Sequence, residues 1–336
     1  MFSLAQSARQ SQEDHASCSG CGLCLLVCPV WRREHDIDLT PLARAKALQH
    51  GAAAADIAAS IQSCTLCGAC EPVCPEDIGL VAMTLDLLRQ LPPSVAIENL
   101  RARMEEQAVR PFAPRTSGNA VLLPDQALRA RPATLAHAVA LLGGVGAAAI
   151  ADDDGADIAL ALEAGMAIPT TRLERFLRPL RGMKRSVVVN GLILRYLRQW
   201  LPTSSIVSLG VTLSGLPAVR RALRASDLYV IEPRAYHADY QNLVKHYDAL
   251  RRETGCTLNL ALQRIAIPAT ARSLPQRLGL EPAVDTWDDA VQTRWILQGR
   301  SIERIVVENI EDADAFEKVS GLPVVHLADL ADDGKT

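Results

Sequence analysis

The spacing of apolar residues divides the 336-residue chain into two regions, and the pattern changes near Pro114. In the first region apolar positions recur at helical intervals. Helices are predicted there over Leu39–Gly51, Ala52–Gln62 and Leu80–Leu91. Thr40 and Pro41 are typical of a helix start, and Pro92 followed by Pro93 ends the last helix. The first region is therefore predicted to be α-helical.

The second region has short runs of β-branched and other apolar residues that alternate with helical segments. The predicted strands are Val121–Leu123, Ala147–Ile150, Val187–Val189, Ile206–Leu209, Leu228–Ile231, Leu258–Leu262, Ile305–Val307 and Val324–His326. This alternation favours βαβ units and mainly parallel sheets. The order of Ser186–Asn190, a helix and Ile206–Leu209 is repeated by Arg304–Glu308, a helix and Pro323–Leu327. We therefore expect two degenerate halves in this region.

The apolar stretch Ala133–Ala151 approaches the length of a transmembrane helix. A histidine and three glycines interrupt it, so we predict a helix over Leu135–Leu142, a glycine turn and a strand, and no membrane span. The string Gly144-x-Gly146-x-x-Ala149 fits a nucleotide-binding loop, but that motif requires a strand before it and a helix after it. Because the order here is reversed, no dinucleotide site is expected.

Eight of the nine cysteines form two copies of the string C-x2-C-x2-C-x3-C-P. This string is the ligand run of two-cluster ferredoxins, in which the first three cysteines bind one 4Fe-4S cluster and the fourth binds the other. On that rule, one cluster is expected at Cys18, Cys21, Cys24 and Cys74. The second cluster is expected at Cys64, Cys67, Cys70 and Cys28. The two runs must then fold together.

Other uses of these cysteines fit the sequence less well. Paired C-x2-C strings can hold structural zinc, but zinc needs four ligands, and a third and fourth cysteine repeated twice are hard to explain that way. Disulfides are not expected, because the chain begins with a polar segment instead of a secretory signal, and thiols in the cytoplasm stay reduced. The protein is therefore expected in the cytoplasm. A net charge of −3 and an aromatic content of 4% give no indication of nucleic-acid binding.

Three segments together resemble a known family: Cys18 to Pro29, Thr40–Arg44 and Cys64 to Pro75. The family is that of electron-transfer proteins typified by the glycolate oxidase iron-sulfur subunit, the lactate utilisation proteins and the heterodisulfide reductase C and D subunits. Thr40–Arg44 stands where the family carries Ser-Pro-Arg-Gly-Arg. The resemblance covers residues 15–92, and it implies exchange of electrons with a flavoprotein dehydrogenase or a heterodisulfide-reductase-like complex.

The same resemblance implies an α-helical ferredoxin followed by a region that commonly carries Cys-Cys-Gly motifs. This chain lacks those cysteines, so its second region is expected to hold no cluster. We predict an α+β protein of two domains. The predicted segments are a polar N-terminal segment at 1–16, an α-helical dicluster ferredoxin domain at 17–93 (the cysteine module), a linker at 94–118, and an α/β domain with mainly parallel sheets at 119–332 (the sheet domain), with halves at 119–225 and 226–332.

The leading hypothesis for function is a one-electron relay, through two 4Fe-4S clusters, within a larger oxidoreductase. Two alternatives remain open. A catalytic reductase would have its active site in the sheet domain, with Cys256 or His237 as candidates. An iron-sulfur sensor would change its partner binding on oxidation or cluster loss. Any membrane association is expected to be peripheral and to occur through a partner.

Several other residues have weaker chemical interpretations. Cys256 is expected to be a small buried apolar side chain. The spacing of His237, Asp239 and His246 fits no recognised metal site, so these residues are interpreted mainly as surface polar groups. A stripe of arginines is interpreted as a solvated helix face, and less readily as a docking face for an acidic partner. It contains Arg172, Arg175, Arg178 and Arg181.

The loops around the cysteines carry apolar residues that are expected to keep water from the clusters. They are Leu23, Leu25, Leu26, Val27, Leu66 and Val73. Gly20, Gly22 and Gly68 are expected to let backbone amides turn toward the cluster sulfurs. Trp31 is interpreted as a packing residue.

Overall fold

The computed structural model describes residues 15–92, 95–111, 120–143, 148–262, 264–270 and 289–330. Most of the predicted N-terminal segment lies outside these ranges, as does the glycine turn at Gly144 and Gly146 with its nucleotide-loop string. No helix within the described ranges is long and apolar enough to cross a membrane.

The described part of the cysteine module consists of helices and loops. Its α-helices are α1 Leu23–Val27, α2 Pro29–Glu34, α3 Pro41–Gln49, α4 Ala58–Ser63 and α5 Leu80–Leu88. Helix α3 starts as predicted, because the Thr40 hydroxyl accepts a hydrogen bond from the Ala43 amide (3.3 Å) and Pro41 takes the first helical position. The helix predicted at Ala52–Gln62 is divided into a 3-10 turn, Ala54–Ile57, and α4. The prediction of a helical N-terminal region is confirmed.

A further helix, α6, spans Val95–Val109, within the segment interpreted as a linker. Leu100 and Met104 lie one turn apart on this helix and are both buried in the apolar core. The helix packs against two helices of the sheet domain, Ala156–Glu163 and Thr170–Leu177. Residues 94–118 therefore contain a packed helix, because the spacing of these two side chains gives it an apolar face to bury.

The first parallel sheet contains β1 Ala120–Leu123, β2 Ala148–Ile150, β3 Arg185–Val188 and β4 Ser205–Ser208, in the order β2-β1-β3-β4. The accompanying helices are α7 Gln126–Arg129, α8 Pro132–Gly143, α9 Ala156–Glu163, α10 Thr170–Leu177, α11 Gly191–Trp200, α12 Leu209–Ser214 and α13 Pro217–Ala222. Val187 in β3 lies opposite Leu122 on one side and Val207 on the other. The central strands β1 and β3 are almost entirely buried, which is typical of a parallel sheet covered by helices.

The second half of the sheet domain repeats this arrangement. Its strands are β5 Asp227–Val230, β6 Thr257–Leu258, β7 Leu260–Ala261, β8 Ile265–Ala266, β9 Arg304–Val307 and β10 Val324–His326, and its helices are α14 Pro233–Ala238, α15 Tyr240–Thr254, α16 Asp289–Leu297 and α17 Ile310–Glu317. Four strands form a parallel sheet in the order β10-β9-β5-β6, and β7 and β8 form an antiparallel pair. Numbered along the chain, both parallel sheets have the order second, first, third, fourth. This agreement supports two related halves, while their boundaries stay predictions.

The predicted strand Leu258–Leu262 is interrupted at Asn259. The Asn259 side chain is buried; its oxygen accepts from the Ile231 amide (2.8 Å), and its nitrogen donates to the Ile231 and Ile267 carbonyls (3.1 and 2.9 Å). The side chain thus takes the place of backbone partners. After Leu258 the chain leaves the second sheet, and β7 and β8 form a separate antiparallel pair. The prediction of one continuous strand is wrong at this point.

Two apolar cores join the parts of the molecule. One core contains Leu85 of the cysteine module and Val188 of the first sheet. The other contains Leu122 of the first sheet and Tyr229 of the second. Burial of apolar surface is the main favourable term in folding. The cysteine module and the two sheets are therefore expected to stabilise one another.

The two halves of the sheet domain approach each other closely at Gly191, the first residue of α11. A Cβ atom at this position would lie 2.4 Å from the Ala235 amide nitrogen and 2.5 Å from the Glu232 carboxylate. Both of those residues belong to the second half, and helix α11 packs along α14. Glycine is required here because any other side chain would separate the two helices.

Two of the four arginines in the predicted stripe are buried. Arg172 donates to Asp153 (2.8 and 2.9 Å) and to Asp157 (2.7 and 2.6 Å). Arg175 also donates to Asp153, at 2.6 Å. The interpretation as a solvated helix face is wrong for Arg172 and Arg175, because carboxylates after β2 and in α9 draw both guanidinium groups into the protein. Arg181, further along, is exposed as expected.

Candidate iron-sulfur site

The eight predicted ligand cysteines surround two cavities, with four cysteines at each. The outer site is lined by Cys18, Cys21, Cys24 and Cys74. The inner site is lined by Cys28, Cys64, Cys67 and Cys70. Cys74 therefore lies with the first run and Cys28 with the second, which is the crossed grouping of two-cluster ferredoxins.

Left-handed backbone at four loop positions turns the chain around these cavities. The four residues are Gly20, Gly22, Leu66 and Gly68. This conformation is open to glycine but costs leucine roughly 1–2 kcal/mol. In the second loop the Ala69 amide donates to the Cys67 sulfur, and at the start of helix α2 the Trp31 amide donates to the Cys28 sulfur. Amide donors of this kind stabilise the negative charge of a cluster and its thiolates.

The two sites differ in exposure. Cys28 and Cys67 of the inner site are each 8% exposed, whereas Cys21 of the outer site is exposed. Beside the outer site, Leu23 is 39% and Leu26 is 56% exposed. The expectation that these two leucines exclude water is wrong, because helix α1 lies at the surface and turns them outward. The outer site is therefore more exposed to solvent than the inner site.

The chemistry of the thiols fits a four-iron cluster at each site. Burial raises the pKa of Cys24 and of Cys67 to about 11 each. Such thiols keep their protons near neutral pH, so four thiolates in one cavity need positive charge to compensate them. Iron supplies that charge, and its binding would release the protons. Within the described ranges, no three histidine, cysteine or carboxylate side chains are placed to hold a single metal ion.

Part of this chain matches a known protein family. Residues 14–78 match the 4Fe-4S dicluster domain. The match includes both cysteine runs and indicates 4Fe-4S cluster binding and iron-sulfur electron transfer by this segment, here the dicluster segment. It ends before the sheet domain. Searches of curated proteins and of solved structures gave no match to the chain.

The sheet domain holds the second cysteine run of the dicluster segment. Arg195 of α11 forms a two-point ion pair with Glu71 (2.6 and 3.2 Å), and its Nη2 lies 3.2 Å from the position of a Cβ atom on Gly68. Arg234 of α14 donates to the Thr65 carbonyl (3.0 Å). The loop of the inner site is thus fixed from outside the dicluster segment.

His237 takes part in the same contact. Its side chain is 5% exposed, and Nδ1 lies 2.8 Å from the Cys67 carbonyl oxygen. Burial lowers the pKa of His237 to about 4, so the ring is neutral and Nδ1 donates its proton to the carbonyl. The interpretation of His237 as a surface residue is wrong, because the cysteine module covers it. Asp239 and His246 contact other residues, and the three side chains do not form a metal site.

The loop of the outer site is held from within the dicluster segment. Lys46 and Gln49 of α3 both donate to the Cys18 carbonyl, at 2.8 and 3.0 Å. The Lys46 stem also packs on Gly20, where a Cβ atom would lie 2.9 Å from Cε. Each loop therefore has its own support, and the two supports come from different domains.

Arg44, also on α3, lines the inner site. It is 2% exposed, and its Nη1 donates to the carbonyls of Ser60 (2.6 Å) and Leu39 (3.3 Å). Its Nε is buried and has no hydrogen-bond partner. The burial of Arg44 was not predicted, because an arginine that is buried without a nearby acidic residue leaves no signal in the sequence.

A third cavity, here the edge pocket, has a volume of about 290 Å³ and lies where strands of both parallel sheets end. Four of its wall residues each follow the last residue of a strand by two positions and cap the next helix. They are Asp125 after β1, Asn190 after β3, Glu232 after β5 and Asn309 after β9. Thr65 and Cys67 line both the edge pocket and the inner site. Ligands of open α/β sheets bind at this edge of the strands.

Carboxyl groups dominate the polar wall of the edge pocket. They belong to Asp125, Asp154, Glu163, Glu232, Glu311 and Asp312. Burial raises the pKa of Glu232 to about 7 and that of Asp312 to about 8. Asp312 accepts hydrogen bonds from the hydroxyl (2.8 Å) and amide (3.1 Å) of Thr270. Near neutral pH these two groups can hold and release protons.

We expect Asp312→Asn to reduce the dependence of stability on pH. Folded Asp312 keeps its proton up to about pH 8, whereas in the unfolded chain its pKa is 3.8. The free energy of unfolding therefore falls as pH rises toward 8, by up to about 1.4 kcal/mol per pH unit from this group. Unfolding midpoints measured between about pH 6.5 and 8 should fall less for the variant, because the histidines that also titrate in this window are the same in both proteins. An equal fall in both proteins would contradict the assignment.

Cys256 lies away from all three cavities. It is 1% exposed and belongs to the core that joins the two sheets. Burial raises the pKa of its thiol. The prediction of a small buried apolar side chain is confirmed for this residue.

Proposed function

We propose that this chain relays single electrons through two 4Fe-4S clusters, one at the outer site and one at the inner site. The observation that carries the proposal is the lining of two separate cavities by four thiols each. Bound clusters supply reversible one-electron chemistry. The residues of the chain hold them and donate hydrogen bonds to the cysteine sulfurs.

The electrons would pass between this chain and redox proteins. We propose a flavoprotein dehydrogenase or a heterodisulfide-reductase-like complex on one side, and a further acceptor or donor on the other. The exposure of Cys21, Leu23 and Leu26 supports exchange with a docked protein at the outer site. The chain would work in the cytoplasm, with any membrane association made through a partner.

The test is a count of iron and acid-labile sulfide per chain after anaerobic purification. Two clusters should give about eight irons and about eight sulfides. The electron paramagnetic resonance spectrum of the reduced protein should show two interacting centres, because both cavities lie within one compact module. Four or fewer irons in intact protein would contradict the two-cluster relay, and clearly more than eight would mean that the sheet domain holds a further cofactor.

A second candidate function is a reductase whose substrate binds in the edge pocket. The sharing of Thr65 and Cys67 between the edge pocket and the inner site favours it, because a molecule bound there would lie beside the inner cluster. The two active-site candidates that the sequence suggested for a reductase, Cys256 and His237, do not lie at this pocket. Cys256 is in the core, and His237 is not among the residues that line the pocket.

The two functions differ in what oxidises the reduced protein. In a reductase, a small oxidant that fits the edge pocket, from a panel of disulfides and quinones, should restore the visible absorbance of the oxidised clusters rapidly, and Asp312→Asn should slow this step. In a pure relay, small oxidants should act at the exposed outer site, and their rates should be the same in both proteins.

A further inference from the structure

The walls of the two cysteine sites carry opposite charges. Besides its cysteines, the wall of the inner site contains one ionisable side chain among the described residues, Arg44. The corresponding side chain in the wall of the outer site is Glu76. Glu76 is exposed, and the cation Lys46 also reaches the outer loop, at the Cys18 carbonyl. The inner site differs in that the charged residue of its wall is a buried cation.

Arg44 is an unusual side chain to bury. An arginine stays charged at all ordinary pH values, and a buried charge without an opposite charge costs several kcal/mol. Within the part of the chain that the structure describes, no carboxylate pairs with Arg44; its hydrogen bonds go to the Ser60 and Leu39 carbonyls and to the Ser60 hydroxyl. Its Nε proton has no acceptor. A negative group in the inner site would compensate this charge.

Arg44 and the Cys28 thiol line the same cavity, the inner site. Two other arginines lie near the inner site, and each has a partner elsewhere. Arg195 forms an ion pair with Glu71, and the Arg32 guanidinium lies 3.8 Å from the centre of the Trp295 ring. Arg44 is the buried cation that a negatively charged cluster would neutralise.

We propose that Arg44 is the charge partner of the cluster in the inner site and makes that cluster easier to reduce than the one in the outer site. This inference rests on the proposed two-cluster relay. Reduction adds one negative charge, which a cation in the cavity wall stabilises and a carboxylate such as Glu76 opposes. Burial by itself disfavours the added charge, so Arg44 must outweigh it. Electrons entering at the outer site would then move inward, toward the edge pocket.

The test is a redox titration of the full-length, anaerobically loaded protein, followed by electron paramagnetic resonance. The proteins compared are the native chain, Arg44→Gln, Arg44→Lys, Lys46→Gln and Arg195→Gln. Lys46→Gln is the matched control, since it removes a cation from the same helix at the outer loop. Arg195→Gln identifies the inner signal, because Arg195 packs on Gly68 of the inner loop. Iron is counted first: four or fewer irons in the intact native chain would refute the relay itself and not this inference alone.

In the native chain we expect the inner signal to be reduced first. Arg44→Gln should lower the equilibrium constant for its reduction about tenfold, or about 59 mV for a one-electron step, and leave the outer signal in place. Arg44→Lys keeps the charge and should retain most of the native potential. Lys46→Gln should leave the inner signal unchanged.

Two results would overturn the inference. One is a native chain in which the signal that Arg195→Gln moves is the second to be reduced. The other is an Arg44→Gln protein with full iron in which both signals move together or neither moves. If Arg44→Gln does not fold, the order of reduction in the native chain and the potential of Arg44→Lys still decide the question.

Discussion

Replacing Cys74 with alanine is expected to lower the iron content from about eight to about four atoms per chain, with loss of the cluster at the outer site. Cys74 belongs to the second run but lines the cavity of Cys18, Cys21 and Cys24. Its loss leaves one corner of that cluster without a thiolate, while the inner site keeps all four. The measurement is iron and sulfide per chain, with the resonance spectrum of the reduced protein, in which the interaction between two centres should disappear.

A pair of double variants separates crossed from local ligation. In the crossed arrangement Cys18 and Cys74 serve the same site, so removing both should still leave about four irons. Removing Cys28 and Cys74 damages both sites and should leave almost none. If each run held its own cluster, loss of Cys18 and Cys74 would also remove nearly all iron, and the assignment would be wrong. Cys256→Ala, a cysteine in the apolar core, should keep the full complement.

The largest effect on stability is expected for Arg172→Leu. Arg172 is 0% exposed and makes four hydrogen bonds of 2.6 to 2.9 Å with Asp153 and Asp157. Its removal leaves two carboxylates without their main cation, and breaking a buried ion pair in this way costs about 3–5 kcal/mol. Denaturant unfolding followed by circular dichroism should show the loss as a lower midpoint.

The matched control is Arg181→Leu on the same stripe. Arg181 forms an ion pair with Glu174, but both side chains are half exposed, at 50% and 52%. Exposed pairs of this kind contribute about 0–1 kcal/mol, so the unfolding midpoint should change little. Equal losses in the two variants would show that the buried network does not carry the stability assigned to it.

The cysteine runs and the positions of the strands could be identified from the sequence because both are local patterns. The cysteines recur at fixed intervals, and apolar runs separated by helical segments gave both parallel sheets with errors of one or two residues at most strand ends. A resemblance to known electron-transfer proteins added expected partners, which stay proposals. Sequence patterns of this kind predict the secondary structure of a segment, and they give little information on which distant segments it contacts.

The residues that sequence analysis misplaced are those whose environment depends on distant segments. His237 looked like a surface residue, but the dicluster segment covers it. Arg172 looked solvated, but the partner carboxylates lie 15 and 19 residues earlier in the chain. Leu23 looked like a shield for the cluster, but the short helix α1 leaves it at the surface. In each case the deciding contact, or its absence, is set by packing between elements.

One signal in the sequence could have located the edge pocket. A polar capping residue stands two positions after the end of β1, β3, β5 and β9, at Asp125, Asn190, Glu232 and Asn309. The capping role of these residue types follows from their side-chain acceptors. Their repetition after equivalent strands in the two halves indicates one shared edge, and two of them, Asp125 and Glu232, contribute carboxyl groups to the wall of the pocket.

The close approach at Gly191 has a consequence for motion. Many two-lobed α/β proteins open and close by a hinge between their lobes, but here the backbone of α11 touches the start of α14 with no space for a side chain between them. Rotation of one half against the other would force these helices into each other or break the contact altogether. We therefore expect the distance between the inner site and the edge pocket to be fixed by the fold, so that the path for an electron has the same length in the free and the docked protein.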